Sequence, residues 1–267
     1  MELKLNLTEF FWVKIVQVFS DNSVIVNNLP ERGKHKVVKI EERVEADLLY
    51  PALRGADIER WGMNQEIFIF LPHAHDGRPL LENDFKRLFP RTYGYFTKFK
   101  QDLLSIAAKS SKRVREQGFF YAMFGVNQFT FANYKVVWKR MSNDIFACVA
   151  SEIETPLGYK KVIPLDTTSF FPTNIESEAH YLCAIINSKP VRDFIKSFSS
   201  AGRGFGTPSV MEHIAIPKFD PQNPLHQRLA EISKKCHKLK EENKEKEIKA
   251  LEKENDELVK KLFGIES

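Results

Sequence analysis

With 267 residues and 43% hydrophobic side chains, the chain has material for a packed core, in one large domain or two smaller ones, which excludes a disordered tail. Forty Lys and Arg against 35 Asp and Glu leave a net charge of +5, an excess that permits nucleic-acid binding without establishing it, so the clustering of cations carries the information. Cys148, Cys183 and Cys236 are odd in number and far apart; they make neither a disulfide framework nor a zinc spacing and suit a reducing cytoplasm, while no apolar run approaches the ~20 residues of a membrane span.

In chain order, Phe11 to Phe19 and Val24 to Val26 are β-branched and aromatic runs separated by Ser20-Asp21-Asn22-Ser23, which predicts a hairpin. Val37 to Ile40 and Glu66 to Leu71 are further strand candidates, with Pro51 and Gly55 punctuating the stretch between them. His73-Ala74-His75-Asp76 has metal-ligand residue types but no third ligand cluster, and reads as a polar turn ending at Gly77. Apolar residues at three- and four-residue spacing predict helix from Asn83 to Ala108, divided at Pro90. Asp84 and Lys86 show the acid-x-Lys order of some nucleases, but on an amphipathic helix that order carries no site.

A basic link, Lys109-Ser110-Ser111-Lys112-Arg113-Val114-Arg115, leads into the stretch from Phe119 to Met141, whose eight aromatics make either a core or a stacking surface. Its end alternates as a strand, with Val137 on one side and Val136, Trp138 and Arg140 on the other, and with Lys135, Lys139 and Arg140 at its two ends. Ser177 to Ile186 is an amphipathic helix, followed at Ser188 by a second with Pro190 in its first turn. Two short helices in succession do not by themselves make a helix-turn-helix reader. Ser199 to Thr207 is a glycine-containing loop that would let Arg203 approach a phosphate. After Pro224 the spacing of Leu225, Leu229, Ile232, Cys236 and Leu239, then of Ile248, Leu251, Leu258 and Leu262, predicts two helices with a phase slip between them.

Four of these elements follow one another in a suggestive order: Leu49 to Ile58 (LYPALRGADI), the Tyr134 to Arg140 strand (YKVVWKR), the Glu178 to Ser188 helix (EAHYLCAIINS) and Ile214 to Phe219, taken as a strand end. Together they resemble the TaqI-like C-terminal specificity domain of DNA adenine-N6 methyltransferases and single-chain type II restriction-modification enzymes. The resemblance implies an α+β fold, with a mixed-sheet recognition body over residues 1–222 and a helical hairpin or coiled-coil element over 223–267. It also implies recognition of double-stranded DNA on behalf of a methyltransferase catalytic domain or subunit. The glycine loop for S-adenosylmethionine and the Asn/Asp-Pro-Pro-Tyr/Phe motif are missing, since Asn28-Leu29-Pro30 and Asn223-Pro224 lack the second proline and the aromatic. The chain alone is therefore expected neither to methylate DNA nor to bind a cofactor, S-adenosylmethionine belonging to the catalytic partner. The expected DNA contacts are Lys109, Lys112, Arg113, Arg115, Lys135, Lys139, Arg140 and Arg203, because duplex reading needs cations for phosphates and forked donors for base edges. The competing reading is a protein-interaction or scaffolding module acting through its C-terminal helices; a stand-alone nuclease acting through Asp84 is a third.

Overall fold

The computed structural model describes residues 8–106, 118–142, 144–198 and 206–265. A single helical turn, α1 (Thr8–Phe11), runs directly into β1 (Trp12–Val18) and the hairpin to β2 (Ser23–Asn28). Asn22 takes the left-handed conformation that closes this turn, and the Asp21 carboxylate accepts the Ser23 amide at 3.2 Å. The third strand, β3 (Glu41–Glu45), lies beyond the Val37 to Ile40 run predicted for it. The cause is Asn28: its side chain accepts the Ile40 amide at 2.8 Å and donates to the Val38 carbonyl at 3.0 Å, holding that run off the ladder until Glu41.

The chain continues through β4 (Leu49–Leu53), the short β5 (Ile58–Glu59) and β6 (Gly62–Met63), and β7 (Ile67–Phe70). All four β7 residues are buried, as a strand covered on both faces requires. Helices α2 (Glu82–Leu88), α3 (Pro90–Lys98) and α4 (Lys100–Ser105) follow, with Pro90 opening α3 where its missing amide costs nothing. Their aromatics meet those of α1, β7 and the 119–131 segment in a first core. Phe85 packs on Tyr121 with ring centroids 4.7 Å apart, Phe10 on Phe99 at 5.4 Å, and the buried Tyr95 hydroxyl donates to the Phe10 carbonyl at 2.8 Å.

The second half comprises β8 (Tyr134–Lys139), β9 (Ala147–Ala150), the hairpin β10 (Glu152–Thr155) and β11 (Gly158–Lys161), β12 (Ile163–Pro164) and β13 (Thr168–Thr173). Helices α5 (Glu176–Asn187), α6 (Lys189–Phe198), α7 (Pro208–Met211), α8 (Pro224–Glu241) and α9 (Glu245–Phe263) complete it. One mixed sheet has the order β12-β4-β7-β1-β2-β3, parallel only at β12–β4, and a second, antiparallel sheet has the order β13-β8-β9. The fold is α+β. As the alternation predicts, Val136 and Trp138 enter one core while Val137 enters a smaller cluster with Leu53, Ile58, Cys148, Val162 and Phe170.

Helices α8 and α9 form a hairpin, turned at Asn243 in the left-handed region and capped at Asn223, whose side chain accepts the Leu225 amide at 2.9 Å. They are not an appendage that begins at residue 223. Leu229, Ile232, Cys236, Ile248 and Val259 share a core with α5, β8 and Trp61, so no boundary between cores falls at the helical tail. Ile214 to Phe219 pairs with no strand among the described residues. Ile214 and Phe219 instead bury their side chains in this second core, and the Tyr181 hydroxyl donates to the Pro217 carbonyl at 3.0 Å. No helix of the described residues is long and apolar enough to cross a membrane.

Candidate nucleic-acid interface

Two of the four family-like elements are held by side-chain bonds to the backbone of distant segments. Asp57 closes a tight turn by accepting the Arg54 amide at 2.9 Å and its Nε at 2.7 Å, while the Gly55 amide donates to the Thr167 hydroxyl at 2.8 Å. Trp61, three residues past Ile58, donates its amide to the Ala147 carbonyl at 3.1 Å and its indole N–H to Glu252 Oε1 at 2.9 Å. At the end of α5, the Asn187 side chain accepts the Ala147 amide at 2.9 Å and donates to the Ala147 carbonyl at 2.8 Å, so a side-chain amide occupies the place of a neighbouring strand. These residue types answer to backbone groups that would otherwise be buried unpaired.

The same region gathers cations at one end of the second core. The Arg60 guanidinium lies 5.2 Å from the Phe146 ring centroid and 3.2 Å from Glu252, and Lys139 Nζ reaches that ring at 5.6 Å. Two residues before Phe146, Asp144 meets Arg192 at 3.5 Å and Lys196 at 3.6 Å, both from α6. Asp256 adds an oxygen that accepts the Lys189 amide at 2.8 Å, and its burial raises its pKa. Arg140 follows directly on Lys139, held by its amide to the Thr167 carbonyl at 3.2 Å. Arg60, Lys139, Arg192 and Lys196 thus lie among three carboxylates, Glu252, Asp144 and Asp256, with Arg60 and Lys139 over the Phe146 ring. Gly206 is seated on this face: its carbonyl accepts the Trp138 indole N–H at 2.9 Å, and a Cβ there would overlap the Lys139 carbonyl oxygen.

Of the predicted contacts, Lys139 lies on this face, and Arg140 is next to it in the chain. Lys135 does not. Its side chain is fully buried at the other end of β8, where Nζ donates to the Ala132 carbonyl at 2.9 Å. Burial, with the Lys161 ammonium nearby, pulls its pKa down to about 7, and no phosphate can reach it in this fold. Lys109, Lys112, Arg113, Arg115 and Arg203 lie outside the described residues. Arg60, Phe146, Arg192 and Lys196 are the residues that sequence reasoning missed. The available signal was the i, i+4 pair Arg192 and Lys196 on the polar side of a helix whose apolar stripe is Val191 and Ile195.

His73 to Asp76 form a turn closed by the His73–Pro79 bridge, and Asp76 is ion-paired to Arg78. His73 Nε2 accepts the Met123 amide at 3.3 Å, and the His75 ring lies against Phe131. Asp84 is paired with Arg87 at 3.1 Å on the surface of α2. Among the described residues no group of three His, Cys, Asp or Glu could hold a metal. All three cysteines are buried, and burial pushes the Cys148 and Cys236 thiols up to about 12. No protein-family model matches the chain, and no curated protein matches it.

Proposed function

We propose that the chain is a sequence-specific double-stranded DNA recognition domain of an adenine-methyltransferase or restriction-modification system, presenting its target to a separate or N-terminal catalytic domain. The observation that supports this most directly is the convergence of Arg60, Lys139, Arg192 and Lys196 about Phe146 and Asp144. Arginines already oriented by carboxylates and a ring lose less freedom on meeting a phosphate or guanine edge than free side chains do. The order of family-like elements supports the same reading. The chain brings no methyl-transfer chemistry of its own to it, and S-adenosylmethionine belongs to the catalytic partner.

The scaffolding alternative is weakened by the helical hairpin, whose apolar stripe is spent inside the second core, leaving the charged turn from Glu241 to Glu247 exposed. The test is duplex binding by fluorescence anisotropy across a salt series. Replacing Lys139, Arg140 and Lys196 together with Ala should weaken binding by about tenfold or more and flatten the salt slope by roughly one unit per lost phosphate contact. Absence of duplex binding by the parent chain at low salt would sink the proposal, and binding indifferent to the triple variant would sink this face as its site.

A further inference from the structure

Between β2 and β3 the chain runs Gly33-Lys34-His35-Lys36-Val37-Val38-Lys39, and its three lysines are exposed with no hydrogen-bond, ion-pair or ring partner among the described residues. The cations around them are matched: Arg43 with Asp21 at 3.0 Å, Lys98 with Glu42, and Arg32 with Glu66 at 3.8 Å. Single unpaired lysines are ordinary on a protein surface. What distinguishes these three is the bracing of the backbone that carries them. The fully buried Glu9 carboxylate accepts the His35 amide at 3.0 Å and the Thr8 hydroxyl at 3.2 Å, with the His35 ring at 3.9 Å. Gly33 passes so close that a Cβ there would overlap the same carboxylate. Farther along, the Asn28 side chain ties Val38 and Ile40. Pinned at 33, 35, 38 and 40, the chain turns Lys34, Lys36 and Lys39 to solvent.

A continuous line of contacts leads from this loop to the cation face. Arg32, immediately before Gly33, meets Glu66 Oε2 at 3.8 Å, and the same oxygen meets Arg54 at 3.1 Å. Arg54 precedes Gly55, whose amide donates to the Thr167 hydroxyl at 2.8 Å, and the Thr167 carbonyl accepts the Arg140 amide at 3.2 Å. The line starts on the surface, since the Arg32 and Glu66 side chains are 30% and 47% exposed. From this we infer that the Lys34 to Lys39 loop is a second phosphate-contacting element, meeting the backbone of the bound duplex beyond the target held at the cation face. This rests on the DNA-recognition reading above and extends its footprint. The charge names the occupant: from Arg32 to Lys39 the sequence holds no acidic residue, Glu31 and Glu41 lying just outside. Lysine offers a point charge without the fork that reads a base edge, so its partner on a duplex is phosphate. Five residue steps of extended chain span up to about 17 Å, a length over which a duplex presents several phosphates in succession.

The test uses the full chain and a duplex selected by it from a random pool, once trimmed to the target and once extended by about one helical turn on either side. The parent should bind the extended duplex about tenfold more tightly than the trimmed one. Lys34→Gln, Lys36→Gln and Lys39→Gln together should remove that gain and flatten the salt slope on the extended duplex by roughly two to three units, while binding the trimmed duplex within about twofold of the parent. The three side chains touch nothing among the described residues, so this variant should keep the parent's unfolding midpoint. Glu31→Gln with Glu41→Gln, which leaves the lysines and removes the flanking negative charge, should tighten binding to the extended duplex. A triple variant that gains as much as the parent from the extension, with an unchanged salt slope, overturns the loop as a contact and leaves the DNA reading standing. A parent that binds no duplex at low salt overturns both.

Discussion

Lys135 carries a charge into a place with no water to receive it, and its protonation is therefore coupled to folding. Its pKa falls from the ordinary 10.5 to about 7, chiefly by burial. Between those values the unfolded chain holds a proton that the folded chain does not, so the contribution of Lys135 to stability rises with pH from about 7 toward 10. The buried Cys148, Cys183 and Cys236 thiols, raised from their ordinary 9.0, oppose it from about pH 9, and Tyr95 and Tyr121, whose burial raises their hydroxyl pKa values, do so from about pH 10. The difference in urea midpoint between the parent and Lys135→Met should therefore move in favour of the parent by an amount worth a few kcal/mol across this range; a difference that does not change with pH would place the effect elsewhere. On the acid side, burial lowers His73 to about 4, His180 to about 3 and His237 to about 4, so the stability they lend is present above pH 6.5 and is lost as pH falls toward 4. His237 shows why: Nε2 accepts the Val149 amide at 2.9 Å and Nδ1 donates to the Ser233 carbonyl at 2.8 Å, an arrangement that only the neutral ring can make. The sequence marks Lys135 as a surface cation because lysine is seldom buried, and what covers it, Pro172 across the ladder and the 131–133 turn, comes from distant or irregular chain.

At the scale of elements, period-two and period-3.6 patterns carried most of the fold. The β1–β2 hairpin, the break at Pro90, the two faces of β8 and the slip between α8 and α9 are all local consequences of residue order. The misses are where a side chain competes with the backbone. Asn28 displaces a strand, and Ile214 to Phe219 serves as apolar packing without a ladder partner among the described residues. Asn187 is the clearest case, and its removal is informative. Asn187→Ala leaves the Ala147 amide without its acceptor, and the expected loss is about 2 to 3 kcal/mol in chemical unfolding. Asn187→Asp, which keeps an acceptor but loses the donor, should not restore it. A loss below about 0.5 kcal/mol in the alanine variant would mean that the pairing is incidental.

For the molecule as a whole, the candidate interface was only partly legible because its parts come from four places in the chain: Arg60 near β5, Lys139 and Phe146 around β8 and β9, Arg192 and Lys196 on α6, and Glu252 and Asp256 on α9. No local pattern announces that such residues will meet. The same dispersion predicts that cutting the chain after residue 222 does not release a folded recognition body, since α8 and α9 wall the second core. That fragment should lack cooperative unfolding by circular dichroism and bind a dye for exposed apolar surface. A fragment that melts as sharply as the full chain would show the helical hairpin to be dispensable.

The indole of Trp61 and the carboxylate of Glu252 are 191 residues apart in sequence yet share one hydrogen bond. During synthesis the first core can close once the chain has emerged through Leu165, but the joint beneath the cation face must wait for α9. Long-range closures of this kind are slow and leave apolar surface exposed in the interval. A ribosome-bound chain lacking its final helix is therefore the form in which this protein should most need a chaperone, and the cation face should be assembled last.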